Sequence, residues 1–221
     1  LKSYPDAFTD LTDMGINWDD FGKLKQSYSM VDDKHYGVPF DNGAVIACYR
    51  TDILKEAGYT IDDLTDITWS EFAKIGKDVH DKTGKYLLTS EGTGGDTMMM
   101  MIQSCGANFV NEKGDAYIVG NDIAEKCVDI YTELVQNDVV KLVNNWDEYV
   151  STITNGEAAG VVNGNWITAT IASTEDQKGQ WAITTMPSVD GVDSATHYAN
   201  NGGSSWYVTA NCQNKDLAED F

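Results

Sequence analysis

The chain of 221 residues carries 15 Lys and Arg against 35 Asp and Glu, which gives a formal net charge of −20 at neutral pH. Such an acidic surface repels phosphate groups, which excludes nucleic acid and anionic membrane lipid as partners. The longest apolar runs, such as 98–102, are far shorter than the ~20 residues that a membrane-spanning helix needs.

The first 58 residues lead from an irregular segment into the clearest structural signal of the sequence. Residues 1–35 are polar and carry four large side chains at helix-like spacing: Trp18, Phe21, Leu24 and Tyr28. Behind an Asp-Asn-Gly turn signal at 41–43, the apolar run 45–48 predicts a strand that is covered on both faces. A helix follows this strand at once, which is typical of α/β proteins.

Two helices are predicted between residues 51 and 80. Thr51 or Asp52 is suited to cap the first helix, and Gly58 is suited to end it in a left-handed conformation. The second helix has Thr68 or Ser70 as its cap. Its apolar residues recur at i, i+3 and i+7: Phe72, Ile75 and Val79.

Strands and helices alternate in the rest of the chain. The predicted strands are 86–89, 159–163, 181–186 and 205–210. The predicted helices are one that runs from the glycine loop 92–96 to residue 104, and those at 121–137, 146–154 and 166–173. The alternation predicts an α/β fold with a three-layer lobe.

The sequence carries no motif for catalysis or metal binding. The three histidines at 35, 80 and 197 lack HxxH and HExxH spacing, and the loop 92–96 lacks the Lys-Ser/Thr ending of a phosphate loop. The acidic clusters at 32–33 and 62–66 lack the central Gly and terminal Glu of a calcium loop. We therefore expect a protein that is not an enzyme and that uses no metal and no cofactor.

The four cysteines, at 48, 105, 127 and 212, show neither CxxC nor paired zinc spacing. We interpret them as small buried residues, since free Cys is among the most buried residue types. A bridge between Cys105 and Cys127 stays open as an alternative, because both flank the turn predicted at Gly114.

A series of short motifs follows in order along nearly the whole chain. They are Tyr36-Gly37-Val38-Pro39-Phe40, Thr68-Trp69-Ser70-Glu71-Phe72, Gly106 with Phe109 and Gly114, Asn155-Gly156-Glu157-Ala158-Ala159, Gly164-Asn165-Trp166, Gly202-Gly203-Ser204-Ser205-Trp206 and the segment 214–221. In this order they resemble the extracellular solute-binding proteins of bacterial ABC importers, in the sugar-binding family 1 that includes the maltose-binding proteins.

The resemblance implies a periplasmic-binding-protein-like fold of type II with two α/β lobes, of which this chain is an excerpt. Residues 1–42 are then a remnant of the first lobe with the hinge entry, and residues 43–205 form the second α/β lobe. Residues 206–221 are the hinge return and the start of a first-lobe helix. The segments 38–48 and 205–210 are the expected crossings between the lobes.

The resemblance also implies a function. We expect the substrate-binding component of an ABC importer, which binds a sugar or oligosaccharide by closure of two lobes and makes or breaks no bond. Its expected partners are a small-molecule carbohydrate and the transmembrane subunits of an ABC permease. We expect a monomer that is extracellular, either periplasmic or anchored as a lipoprotein, with signal and anchor outside this chain.

Tryptophans are the first site residues to consider, because the flat C–H faces of sugars stack on aromatic rings. By the resemblance, Trp166 stacks on the sugar; the alternative is a core Trp that packs a helix on the sheet. Trp206 follows Gly203, where the missing side chain would let a ligand approach the backbone; the alternative is a plain hinge turn. Trp69 and Trp181 are interpreted as structural.

Three polar residues complete the predicted site. Asp41 and Asn42 lie where the chain crosses between lobes and can bond sugar hydroxyls, with a simple Asp-Asn-Gly turn as the alternative. Asp96, at the end of the loop 92–96, is assigned the same task. The maltose-binding relatives carry larger and more aromatic residues in this loop, which argues against a malto-oligosaccharide. The alternative functions are a carbohydrate-active enzyme and a binding protein for a non-sugar solute.

Overall fold

The computed structural model describes residues 1–92, 95–111 and 113–221. Its strands are β1 (Met30–Val31), β2 (Lys34–His35), β3 (Gly37–Pro39), β4 (Val45–Arg50), β5 (Leu88–Glu91), β6 (Val140–Val143), β7 (Gly160–Gly164), β8 (Trp181–Thr184) and β9 (Ser205–Tyr207). Its α-helices are α1 (Lys23–Tyr28), α2 (Thr51–Ala57), α3 (Trp69–Thr83), α4 (Gly95–Ser104), α5 (Asp122–Gln136), α6 (Trp146–Thr154), α7 (Ile167–Ala172) and α8 (Lys215–Asp220).

The chain forms two compact units. The larger unit is Ala44–Asn201, and the smaller unit combines Leu1–Gly43 with Gly202–Phe221. The division predicted at 42/43 and 205/206 concerns lobes of a longer protein and stays a prediction. In the part of the chain that the structure describes, no helix has both the length and the apolar character needed to cross a bilayer.

Strand β4 lies at the centre of the larger unit, between its antiparallel neighbours β7 and β8. Its side chains alternate between two hydrophobic clusters. Val45, Ala47 and Tyr49 belong to the main cluster, which contains buried residues of α2, α3, α4 and α5. Cys48 belongs to a second cluster, with buried residues of α6 and α7. Because β4 is covered on both faces, its residues 45–48 are all apolar, and the predicted three-layer arrangement is present.

Strands β5 and β6 form a parallel pair next to this sheet. The strand predicted at 86–89 begins two residues later, at Leu88, and Tyr86 forms an isolated bridge to Ala158. Strand β6 was absent from the sequence-based assignment. The predicted strand 181–186 ends at Thr184, and 205–210 ends at Tyr207.

Helix capping agrees with the sequence at α3 and differs at α2. The Thr68 hydroxyl accepts the backbone N–H of Glu71, and the Glu71 carboxylate accepts the N–H of Thr68, so Thr68 rather than Ser70 caps α3. Helix α2 has no side-chain cap, and the assignment to Thr51 or Asp52 is wrong. The Asp52 carboxylate instead accepts two hydrogen bonds from the Arg50 guanidinium, at 2.8 and 2.7 Å.

The smaller unit contains the antiparallel pairs β1–β2 and β3–β9, with Val38 opposite Trp206. Of the helix-like spacing between residues 18 and 28, only Lys23–Tyr28 is α-helical. Trp18–Asp20 forms a short 3₁₀-helix, and Phe21 is extended with φ −112° and ψ 142°. The helix-like spacing is therefore misleading, because two extended residues, Phe21 and Gly22, separate the short 3₁₀-helix from α1.

The cysteines are free thiols, so the alternative of a Cys105–Cys127 bridge is wrong. Cys48, Cys105 and Cys127 are buried as expected, whereas Cys212 is half-buried. Burial raises the pKa of the Cys48 and Cys127 thiols to about 12, which leaves both thiols protonated and unreactive at neutral pH.

Candidate functional site

Asn201 joins two of the predicted site residues in the larger unit. Its buried side-chain amide donates hydrogen bonds to Asn163 Oδ1 at 2.8 Å and to Asp96 Oδ2 at 3.3 Å. Its backbone carbonyl accepts the indole N–H of Trp166 at 2.9 Å. Trp166 and Asp96 were predicted independently, and the structure brings them together through a residue that sequence reasoning missed.

The aromatic surface of this cluster is supplied by Trp146, the first residue of α6. Its ring lies on the Tyr149 ring with centroids 5.3 Å apart and an interplanar angle of 18°, and 5.7 Å from the Trp166 ring. Trp146 is 44% exposed, while Trp166 is half-buried against the second hydrophobic cluster. Trp146 was also missed, although Asn-Trp at a helix start occurs both at 145–146 and at 165–166.

Gly164 in β7 leaves the space that this arrangement needs. A Cβ atom there would lie 2.3 Å from Trp166 Nε1 and 2.4 Å from the Asn201 carbonyl oxygen. These distances are far below van der Waals contact, so a side chain at residue 164 is incompatible with the observed position of the indole. The local sequence Gly-Asn-Trp therefore folds the ring back over its own strand.

A small cavity of about 60 Å³ opens beside the cluster. Its polar lining includes Asp96, Asn163 and two hydroxyls, those of Ser90 and Thr97, whose oxygens are 3.0 Å apart. The Tyr149 hydroxyl accepts a hydrogen bond from Asn163 Nδ2 at 3.0 Å, and burial raises its pKa, so this hydroxyl stays protonated. The lining residues that the structure describes include no Lys or Arg. Thr93 and Gly94 of the predicted glycine loop lie outside the described residues.

We name this group of six residues the tryptophan cluster: Asp96, Trp146, Tyr149, Asn163, Trp166 and Asn201. It presents a flat exposed ring beside a carboxylate and an amide, without a positive charge. Such a surface suits a neutral ligand that has both apolar C–H faces and hydroxyl groups.

The predicted residues of the smaller unit fall into two places. Asp41 and Asn42 line a pocket of about 150 Å³ together with Lys25, and the Asp41 carboxylate accepts the backbone N–H of Ser204. Gly203 lies beside them, since a Cβ there would be 3.2 Å from the Asp41 carbonyl oxygen.

Trp206 does not join this pocket. Its ring contacts those of Phe40 and Phe221, with centroid distances of 5.4 and 5.9 Å, and lines an apolar cavity of about 880 Å³. Trp206 therefore shares neither the pocket of Asp41 nor a polar neighbourhood suited to sugar hydroxyls.

The electrostatics give no sign of an acid catalyst. Carboxyl groups with a shifted pKa, among those that the structure describes, all have it lowered, chiefly by hydrogen bonds: Asp10, Asp52, Asp63, Glu71, Asp78, Glu148 and Glu157. A general acid requires the opposite shift. Within residues 1–92, 95–111 and 113–221, no group of three or more His, Cys, Asp and Glu is placed to hold a metal ion.

The sequence matches a family described as bacterial extracellular solute-binding protein over residues 3–221. The lactose-binding protein of Rhizobium radiobacter is 37% identical over 221 residues, which are 100% of this chain and 52% of that protein. The chain spans about half the length of the curated relatives it matches.

Solved structures of binding proteins share the fold. The ABC transporter associated binding protein from B. animalis subsp. lactis Bl-04, in complex with β-1,6-galactobiose, superposes with a TM-score of 0.82 at 20% identity over 99% of this chain and 54% of its own. The galacto-N-biose-/lacto-N-biose I-binding protein of Bifidobacterium longum has a TM-score of 0.78 at 20% identity, over 100% and 55%. These likenesses confirm the predicted periplasmic-binding-protein-like fold of type II.

Proposed function

The chain belongs to the bacterial extracellular solute-binding proteins, and we propose that it is part of the sugar-binding component of an ABC importer. The observation that carries this proposal is the tryptophan cluster, where the exposed Trp146 ring lies beside the Asp96 carboxylate and the Asn163 amide. The name of the lactose-binding relative supports a carbohydrate ligand over other solutes.

In this proposal a C–H face of the sugar stacks on the Trp146 ring. The Trp166 ring forms the edge of this aromatic platform. Asp96 accepts hydrogen bonds from sugar hydroxyls, while Asn163 can both donate and accept. Asn201 holds these groups in place through its three hydrogen bonds. Because the fixed groups need little reordering when the ligand binds, the entropic cost of binding is reduced.

The remaining parts of the proposal follow from the family. The ligand is a sugar or oligosaccharide that is enclosed when two lobes close. An ABC permease then recognises the closed conformation. The protein acts as a monomer outside the cytoplasmic membrane, either in the periplasm or anchored as a lipoprotein. The chain catalyses no reaction, in keeping with relatives that are named as binding proteins.

Ligand binding by the full-length protein tests the proposal. Isothermal titration with lactose, arabino-oligosaccharides and maltose should give saturable binding of at least one saccharide. Trp146→Ala should raise its Kd about tenfold, which corresponds to about 1.4 kcal/mol, because the stacking surface is lost. Tyr117→Ala is the matched control, since Tyr117 is also 44% exposed in the larger unit but does not line the cavity.

The possible outcomes distinguish a failure of the proposed function from a failure of the role assigned to Trp146. If no saccharide binds while spermidine does, the ligand is a cationic solute that pairs with Asp96 and Glu91, and the sugar proposal is wrong. If a saccharide binds with an unchanged Kd in Trp146→Ala, the function stands and the platform lies elsewhere. Weakening by Tyr117→Ala to the same extent would point to a general loss of stability.

A further inference from the structure

We propose that Lys25 is a ligand-binding residue, whose ammonium donates hydrogen bonds to hydroxyl oxygens of a neutral carbohydrate. Its site is the pocket of the smaller unit that Asp20, Asp41 and Asn42 also line, here called the lysine pocket. This inference rests on the proposed function and adds a second contact region to it, distinct from the tryptophan cluster.

The first argument is that the stem of Lys25 is buried while its ammonium has no polar partner among the described residues. Only 7% of the residue is exposed, and its ammonium makes no hydrogen bond or ion pair with any residue that the structure describes. The ammonium lies over the Tyr28 ring, whose centroid is 5.9 Å away, at the limit of a cation–π interaction. The ammonium therefore keeps its donors available for a ligand in the pocket that the residue lines.

The second argument is that the backbone leaves room for this ammonium. Gly203 has φ +105°, and a Cβ atom built on it would lie 2.6 Å from Lys25 Nζ. The glycine predicted to admit a ligand therefore admits the lysine head group. The lysine pocket has a volume of about 150 Å³ and is open to a ligand.

The third argument concerns the chemistry of the pocket. The carboxylates of Asp20 and Asp41 outnumber the single cation, which disfavours phosphate or carboxylate ligands. Ammonium groups only donate hydrogen bonds, carboxylates only accept them, and the Asn42 amide does both. A sugar hydroxyl, which donates and accepts, satisfies all three groups, while Phe21 and Phe40 offer apolar surface to its C–H faces.

The alternative is that Lys25 is structural and reaches solvent along an apolar stem. Lys25→Met separates the two, because it keeps the length of the stem and removes the charge. We expect Lys25→Met to raise the Kd for lactose at least tenfold in the full-length protein, and to leave the Tm unchanged because the apolar stem keeps its packing. Lys23→Met, on the exposed side of the same helix α1, is the matched control and should change neither value.

A second variant keeps the inference testable if Lys25→Met does not fold. Lys25→Gln retains a donor without a charge and should bind lactose with a Kd between those of the wild type and Lys25→Met. A wild-type Kd in Lys25→Met would overturn the inference while leaving the sugar receptor intact, and so would a lower Tm with no change in Kd. If the wild type binds none of the saccharides, the proposed function fails and this inference fails with it.

The ligand class is tested separately by competition. Galactose should bind the wild type more tightly than galacturonic acid, because the added carboxylate meets Asp20 and Asp41. Tighter binding of galacturonic acid would show that Lys25 recognises an anion and would overturn the assignment to neutral carbohydrate.

Discussion

A single missing side chain sets the geometry of the tryptophan cluster. Gly164→Ala would place a Cβ 2.3 Å from Trp166 Nε1 and against the Asn201 carbonyl, so the indole must leave its hydrogen bond. We expect the free energy of unfolding to fall by about 1–3 kcal/mol, as in other overpacked sites, and saccharide affinity to fall with it. Urea denaturation and calorimetric titration measure the two effects.

Gly92→Ala is the control for this substitution. Among the described residues, a Cβ at Gly92 would approach the Val143 carbonyl oxygen at 3.4 Å, which is ordinary contact. Its stability should remain within about 0.5 kcal/mol of the wild type, the range usual for substitutions without a special mechanism. If Gly164→Ala were equally mild, the Trp166 ring would have to be free to move, and its proposed place at the edge of the platform would be wrong.

The family resemblance nominated Trp166, and the position of Asp96 at the end of the glycine loop nominated Asp96, but neither pointed to the residue that connects them. Asn201 is 105 positions from Asp96 and 35 from Trp166, and no local pattern reports a hydrogen bond across such separations. Lys25 was missed for a different reason. Lysine is almost never buried, so sequence reasoning assigns it to the surface by default.

At the scale of elements, the secondary structure predicted from the sequence is most accurate where local propensity and tertiary packing favour the same element. Residues 45–48 of β4 are all apolar because both faces of the strand are covered, and α3 has a capping box at its start and Gly84 in a left-handed conformation at its end. Strand β6 follows α5 after a short turn at Asp138, and only its pairing with β5 distinguishes it from a continuing loop. Pairing with a distant segment cannot be deduced from periodicity in so short a strand.

A turn at Asp10 links the chain start to the β1–β2 hairpin. The Thr12 hydroxyl donates to the Asp10 carboxylate at 2.6 Å and accepts the backbone N–H of His35, while Lys34 forms an ion pair with Asp10 at 3.0 Å. The hydrogen bond from Thr12 is the main cause that lowers the pKa of Asp10 to about 2. The carboxylate therefore stabilises the fold above its unfolded pKa near 4, and this stabilisation is lost as the pH falls towards about 2.

Asp10→Asn tests this turn. At pH 6 we expect it to lower the free energy of unfolding by less than about 1 kcal/mol, because the carboxylate is partly exposed and screened by solvent. The difference from wild type should shrink as the pH is lowered from 4 towards 2, since the wild-type carboxylate becomes protonated. Urea unfolding at several pH values measures it. A difference that stays the same at every pH would contradict the role of the Asp10 carboxylate.

At the scale of the whole molecule, the hydrophobic core is unevenly distributed. Both hydrophobic clusters belong to the larger unit, around the two faces of β4. In the smaller unit, Leu11 is the one fully buried hydrophobic side chain among the described residues, while Trp206, Leu217 and Phe221 are exposed. Because burial of apolar surface supplies most of the folding energy, the two units should differ in stability against local opening.

Hydrogen exchange on the 221-residue chain measures this difference. Amides of β4 and β7 should exchange at least tenfold more slowly than those of β3 and β9, after correction for intrinsic rates. Both pairs are antiparallel ladders, so the comparison holds the type of hydrogen bond constant and varies the buried apolar surface around it. Equal protection would mean that the backbone pairing of β3 with β9 is stabilised without a hydrophobic core. In that case the exposure of Trp206 and Phe221 would not lower the stability of the smaller unit against local opening.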